Sequence, residues 1–138
     1  MNYYSKIGIE VGGITESLND KTDRDMRNVD TVAGADAVIE YQVPTEGNNY
    51  TWYRKYKSGW VEQGGQCSIS KDTTTIVTMP IEMSNTRYSV MITPAAAIQT
   101  AGDGNFTVTR DSTTQFGWCN GDDFSGTGLW EVRGMAAN

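Results

Sequence analysis

From residue 37 onward the chain runs as short stretches of β-branched and aromatic residues separated by turn chemistry. The stretch AVIEYQV (residues 37–43) ends at Pro44, and PTEGNN (44–49) reads as a turn. YTWYRKYK (50–57) alternates, Ser58-Gly59 is a turn candidate, and WVEQGGQCSI (60–69) follows. TTTIVTM (73–79) is β-branched almost throughout. RYSVMIT (87–93), AAAIQ (95–99), NFTVTR (105–110), TTQFGWC (113–119) and GLWEVRG (128–134) complete the set. Short strands at this spacing predict an all-β domain, an antiparallel sandwich or barrel.

The N-terminal part has a different pattern. Residues 14–28 (ITESLNDKTDRDMRN) are polar and charged, with sparse apolars at Ile14, Leu18 and Met26. That stripe is too thin for a monomer's core and suits a short coiled segment shared between copies. Residues 30–36 (DTVAGAD) read as a linker. The expected organisation is a stem and linker over residues 1–35 and a β-sandwich over 36–138.

A two-residue loop at Ser58-Gly59 fixes a register for the hairpin at residues 52–63. It sets Lys57 opposite Trp60, Tyr56 opposite Val61, Lys55 opposite Glu62 and Tyr53 opposite Gly64.

Charge and composition remove whole classes of function. The formal net charge is −6, which disfavours nucleic acid and anionic membranes as partners. No apolar run approaches the ~20 residues that span a bilayer. The start, MNYYSKIGIEVGG, does not read as a signal peptide. With no histidine, the chain lacks the commonest general base and zinc ligand. Cys67 and Cys119 are the two cysteines; reduced, partly buried thiols are expected, and pairing stays open.

The segment WYRKYKSGWVEQGG (52–65) resembles the hairpin that opens the C-terminal knob of bacteriophage and prophage tail-fibre proteins. The residues that carry the likeness are Trp52, Tyr53, Arg54, Tyr56, Gly59, Trp60, Glu62, Gln63, Gly64 and Gly65. Residues 73–93 resemble the next hairpin of such knobs, with a Pro and an Asn-Thr-x-Tyr turn before a further strand. Residues 18–29 look like their stem-to-knob linker. Ser58-Gly59 stands where many relatives carry Asp-Gly, and Val61 where many carry Cys.

The resemblance implies a homotrimeric, receptor-binding knob at a fibre tip, joined to the rest of the tail fibre and assembled in the host cytoplasm. Its implied partner is a bacterial surface polysaccharide (lipopolysaccharide, capsule or similar) or an outer-membrane receptor. It implies no cofactor, no metal and no membrane insertion. Two other classes stay open: a trimer-forming tip without its own ligand, and a polysaccharide-degrading enzyme.

Saccharide binding calls for aromatic faces beside hydrogen-bonding side chains. Residues 116–130 (FGWCNGDDFSGTGLW) offer the densest combination: Trp118 and Trp130 flank a loop with Asn120, Asp122, Asp123 and Ser125. The competing interpretation puts both rings in the core. The loop AGDGN (101–105) adds Asp103 and Asn105. Asp122 and Asp123 lie in no calcium-binding spacing. Glycosidases set two carboxylates ~5–9 Å apart across the scissile bond. Glu62 with Glu131, or Asp122 with Asp123, are the conceivable pairs, but Glu62 is better explained by a cross-strand partner, so no enzyme is expected.

Overall fold

The computed structural model describes residues 35–95 and 105–138. Nearly all of these belong to one compact unit, Ile39–Asn138. The expected stem, with Ile14, Leu18 and Met26, and most of the AAAIQ run lie outside the described residues.

Among the described residues the eight strands are β1 (Val38–Gln42), β2 (Trp52–Tyr56), β3 (Trp60–Ile69), β4 (Thr73–Thr78), β5 (Ser89–Ala95), β6 (Phe106–Thr109), β7 (Gln115–Asn120) and β8 (Gly126–Met135). They form a five-stranded sheet, ordered β1-β2-β3-β8-β5, and a three-stranded sheet, ordered β4-β7-β6. The resolved pairings β2–β3, β3–β8, β5–β8, β4–β7 and β6–β7 are antiparallel. The fold is therefore the all-β sandwich that the strand rhythm predicts. No helix among the described residues is long and apolar enough to cross a membrane.

Alternation decides what each strand buries. In β8, Gly128, Trp130, Val132 and Gly134 point inward, while Leu129, Arg133 and Met135 face out. β7 sends Phe116, Trp118 and Asn120 inward. Val61, Ile69, Trp130 and Val132 of the larger sheet thus share one core with Val77, Phe116 and Trp118 of the smaller. Phe116 meets Trp130 across the core, edge to face, with ring centroids 5.6 Å apart.

The hairpin forms, but one residue out of the expected register. Tyr53 faces Gln63, Arg54 faces Glu62 and Lys55 faces Val61. The turn is the cause: Gly59 donates its N–H to the Tyr56 carbonyl at 2.9 Å and has φ 91°. The loop therefore holds three residues and closes on a left-handed glycine, a conformation that side chains resist. A shift of one residue exchanges charge partners, so Glu62 lies between Arg54 of β2 and Arg133 of β8.

Residues 73–93 do not form a hairpin. β4 pairs with β7, while β5 pairs with β8 in the other sheet. The segment between them crosses from sheet to sheet. Gln63, fully buried, holds it: Nε2 donates to the Ile81 carbonyl at 2.9 Å, and Oε1 accepts the Ile81 N–H at 2.8 Å. Tyr88 anchors the same crossover through its hydroxyl, at 2.9 Å from the Ser112 carbonyl and 3.0 Å from that of Gln115.

Three of the strand glycines make room for indoles. A Cβ on Gly64 would lie 2.7 Å from Nε1 of Trp52, one on Gly65 3.0 Å from Cζ2 of Trp130, and one on Gly128 2.5 Å from Cζ3 of Trp118. The Gly-Gly of the opening motif is thus a seat for two tryptophans, one on each face of β3.

Candidate functional site

The loop after β7 starts from an inward-pointing asparagine. Asn120 is 2% exposed, and its amide is fully used. Nδ2 donates to the carbonyls of Ser70 (3.0 Å) and Phe124 (2.7 Å), while Oδ1 accepts the Asp122 N–H at 2.9 Å. Asp122 is also buried, and its Oδ1 accepts the Asp123 N–H at 2.8 Å. On the rim, Ser125 Oγ accepts the Lys71 N–H at 3.0 Å, and Lys71 Nζ pairs with Asp123 Oδ1 at 3.1 Å. The loop is therefore latched to the β3–β4 corner, and its interior groups are committed to holding it there.

This corrects the expected saccharide platform. Trp118 is 0% and Trp130 4% exposed, so neither ring offers a face to a ligand. Each instead packs over a glycine and against a phenylalanine. Both Nε1 atoms are buried without an acceptor among the described residues. The phase of each strand carried the signal: Trp118 alternates with Gly117 and Cys119, and Trp130 keeps step with Val132. Asn120 and Asp122 face inward as well. Of the expected contacts, Asp123 and Asn105 are exposed. Asp103 lies outside the described residues.

Asn105 does meet the loop: its carbonyl accepts the Gly121 N–H at 2.9 Å. That contact closes one wall of a depression of about 340 Å³ on the outer face of the smaller sheet. Asp72, Thr73, Thr74, Asn105, Thr107, Cys119, Asn120 and Gly121 line it. Register explains the lining, because Thr74 and Thr107 both sit opposite Cys119, one on each side of β7. A continuous row of hydroxyl, thiol and hydroxyl results, with the Asp72 carboxylate and the Asn105 amide at its end.

These groups present hydrogen-bond donors and acceptors on an exposed face. Asp72 is the one carboxylate in the lining, so the depression lacks the paired carboxylates of sugar hydrolysis. No group of three or more His, Cys, Asp or Glu suited to a metal ion occurs among the described residues. Cys67 and Cys119 are free, half-buried thiols. Asp72, Thr74 and Thr107 escaped sequence reasoning because a threonine-rich strand reads as β propensity, and only the cross-strand register gathers them.

Two solved structures share this fold. One is a P. aeruginosa R2 pyocin fibre fragment comprising C-terminal residues 323–691, matched at a TM-score of 0.56 and 18% identity over 71% of this chain and 26% of that one. The other is an N-truncated R2-type pyocin tail fibre, with the same TM-score and identity, covering 71% of this chain and 39% of that one. The chain spans well under half of either structure. No protein-family model and no curated protein matches the sequence.

Proposed function

We propose that this domain is the receptor-binding tip of a phage-like tail fibre, which attaches the particle to saccharide on a bacterial surface. The observation that carries this is the fold shared with two pyocin tail-fibre structures. The hydroxyl and amide groups around Thr74, Thr107 and Asn105 supply the chemistry that sugar hydroxyls require. No enzyme activity, metal or cofactor is part of the proposal.

The domain works as a homotrimer joined to the rest of its fibre. β1 supports this: it is an edge strand whose Ile39 and Tyr41 stay 54% and 69% exposed, with Val43 just beyond it at 60%. An apolar edge of this kind invites a second chain. Each site binds weakly, because polar contacts leave little net energy after desolvation. Three sites on one trimer raise the avidity by roughly 10²–10⁴.

The test is adsorption of the chain to host cells, with its mass measured by light scattering. A double variant, Thr74→Arg with Thr107→Arg, fills the depression from an exposed face. Trimeric mass with lost adsorption is the expected result. Undiminished adsorption removes the depression from the binding surface. A trimer that ignores every envelope fraction leaves an assembly domain, and shortening of the polysaccharide identifies an enzyme.

A further inference from the structure

A second depression, of about 350 Å³, opens where β2 begins beside β3. Asn49, Tyr50, Gln66, Cys67, Ser68 and Thr127 line it, and none of these side chains is charged at neutral pH. Burial pushes the Cys67 thiol further above its ordinary range, which keeps it neutral. The volume lies at the small end of the ~300–1,000 Å³ that ligand clefts occupy.

The backbone beside it is strained. Asn49 and Tyr50 are consecutive left-handed residues, with φ 55° and 56°. Asparagine tolerates that region, whereas a bulky aromatic is a genuine outlier there. The turn is overdetermined by its own bonds. Tyr50 N–H donates to the Thr45 carbonyl at 2.8 Å, and Thr51 Oγ1 to the Asn48 carbonyl at 2.7 Å. Asn48 Nδ2 donates to the Val43 carbonyl at 3.0 Å, and Gln42 Nε2 to the Thr51 carbonyl at 2.9 Å.

The product of this strain is an aromatic ring left 44% exposed beside an uncharged polar pocket. Strained residues held by a rigid surround mark functional positions. The side chains of Asn49, Gln66, Ser68 and Thr127 form no hydrogen bond to other described residues, unlike the committed amides of Gln63 and Asn120.

We infer that the Tyr50 depression is a second sugar-binding site, separate from the threonine row, and that it takes a neutral pyranose. The C–H face of the sugar stacks on the Tyr50 ring, while the Asn49 and Gln66 amides and the Ser68 and Thr127 hydroxyls meet its hydroxyl or N-acetyl groups. An acidic sugar finds no cation in the lining and meets a chain of net charge −6. The choice of saccharide as ligand rests on the attachment proposal above.

The experiment titrates the 138-residue chain with N-acetylglucosamine, methyl glucoside and glucuronate, read by amide chemical shifts. Shifts at residues 49–51, 66–68 and 127 with a neutral sugar, and none with glucuronate, are expected. Tyr50→Phe keeps the binding. Tyr50→Gly weakens it roughly tenfold, as loss of a stacking ring does, while the melting temperature holds or rises because glycine relieves the left-handed strain. No shift with either neutral sugar in a folded chain overturns the inference, as does unchanged affinity in Tyr50→Gly. Sugar shifts in a chain that fails to adsorb to any host uphold this site and sink the attachment proposal. Adsorption without these shifts does the reverse.

Discussion

Replacing Gln63 by leucine isolates a side chain that ties the opening hairpin to the crossover between sheets. Gln63 is 0% exposed, and its amide pairs with both backbone groups of Ile81, at 2.8 and 2.9 Å. Leucine keeps most of the volume and loses both Ile81 bonds, each worth about 0.5–1.5 kcal/mol net, together with the weaker Nε2 contacts to the Met83 and Met79 sulfurs at 3.1 and 3.7 Å. An orphaned buried N–H or C=O costs about 1–3 kcal/mol more. Ile81 is only half-buried, so water recovers part of that, and leucine gains by no longer burying an amide. A net loss of about 1.5–3 kcal/mol follows. At roughly 4 °C per kcal/mol for a domain of this size, the midpoint falls by about 6–12 °C.

The assay is thermal and urea unfolding by circular dichroism at fixed chain concentration, because self-association makes midpoints concentration-dependent. Gln63→Glu sharpens the test. Its carboxylate still accepts from Ile81 N–H but faces the Ile81 carbonyl without a proton. Burial raises the pKa of such a group, so its stability is present below the unfolded value near ~4.3 and is lost as pH rises through the folded value. Gln63→Glu therefore falls below Gln63→Leu at neutral pH and recovers, relative to the wild type, in acid. A leucine variant within about 0.5 kcal/mol of the wild type refutes the reasoning, since that is the range of inert surface changes.

Gly128→Ala drives a methyl group to 2.5 Å from the Trp118 ring and 3.1 Å from Ile69; it is expected to cost about 1–3 kcal/mol by urea midpoint, with altered tryptophan fluorescence. Tyr88→Phe removes a buried hydroxyl donor and is expected to cost about 1 kcal/mol at neutral pH. Burial raises the Tyr88 pKa above the ordinary 10.0, so its contribution is full below that value and lost as pH rises through the folded one; midpoints taken across alkaline pH should decline less steeply in the phenylalanine variant.

Strand identity was legible because β-branched runs and turn residues are local signals. Sheet membership was not, since nothing in residues 73–93 says that β4 and β5 part company; that is settled by long-range pairing with β7 and β8. The register error has a single source, in that Ser-Gly fits a two-residue turn as readily as the last two positions of a three-residue one. For the site, residue chemistry alone was misleading. The tryptophans drew attention as platforms, although their alternation with small and polar neighbours marked them as core. The threonine row and the Tyr50 turn depend on cross-strand neighbours and on a backbone angle, which a linear pattern does not carry.

The position of β8 bears on how the chain is made. It is the last described strand in sequence, yet it lies between β3 and β5 and pairs with β3 along all ten of its residues. While the polypeptide emerges from a ribosome, the β2–β3 hairpin therefore waits with one edge open, and Gly65 and Ile69 lack their partners Trp130 and Gly126. Pairing over such sequence separation is slow and leaves edges exposed to other chains meanwhile. Nascent copies on one message carry the same open edge in close proximity, so a folding helper that shields it until residues 126–135 are in place would raise the yield of soluble protein.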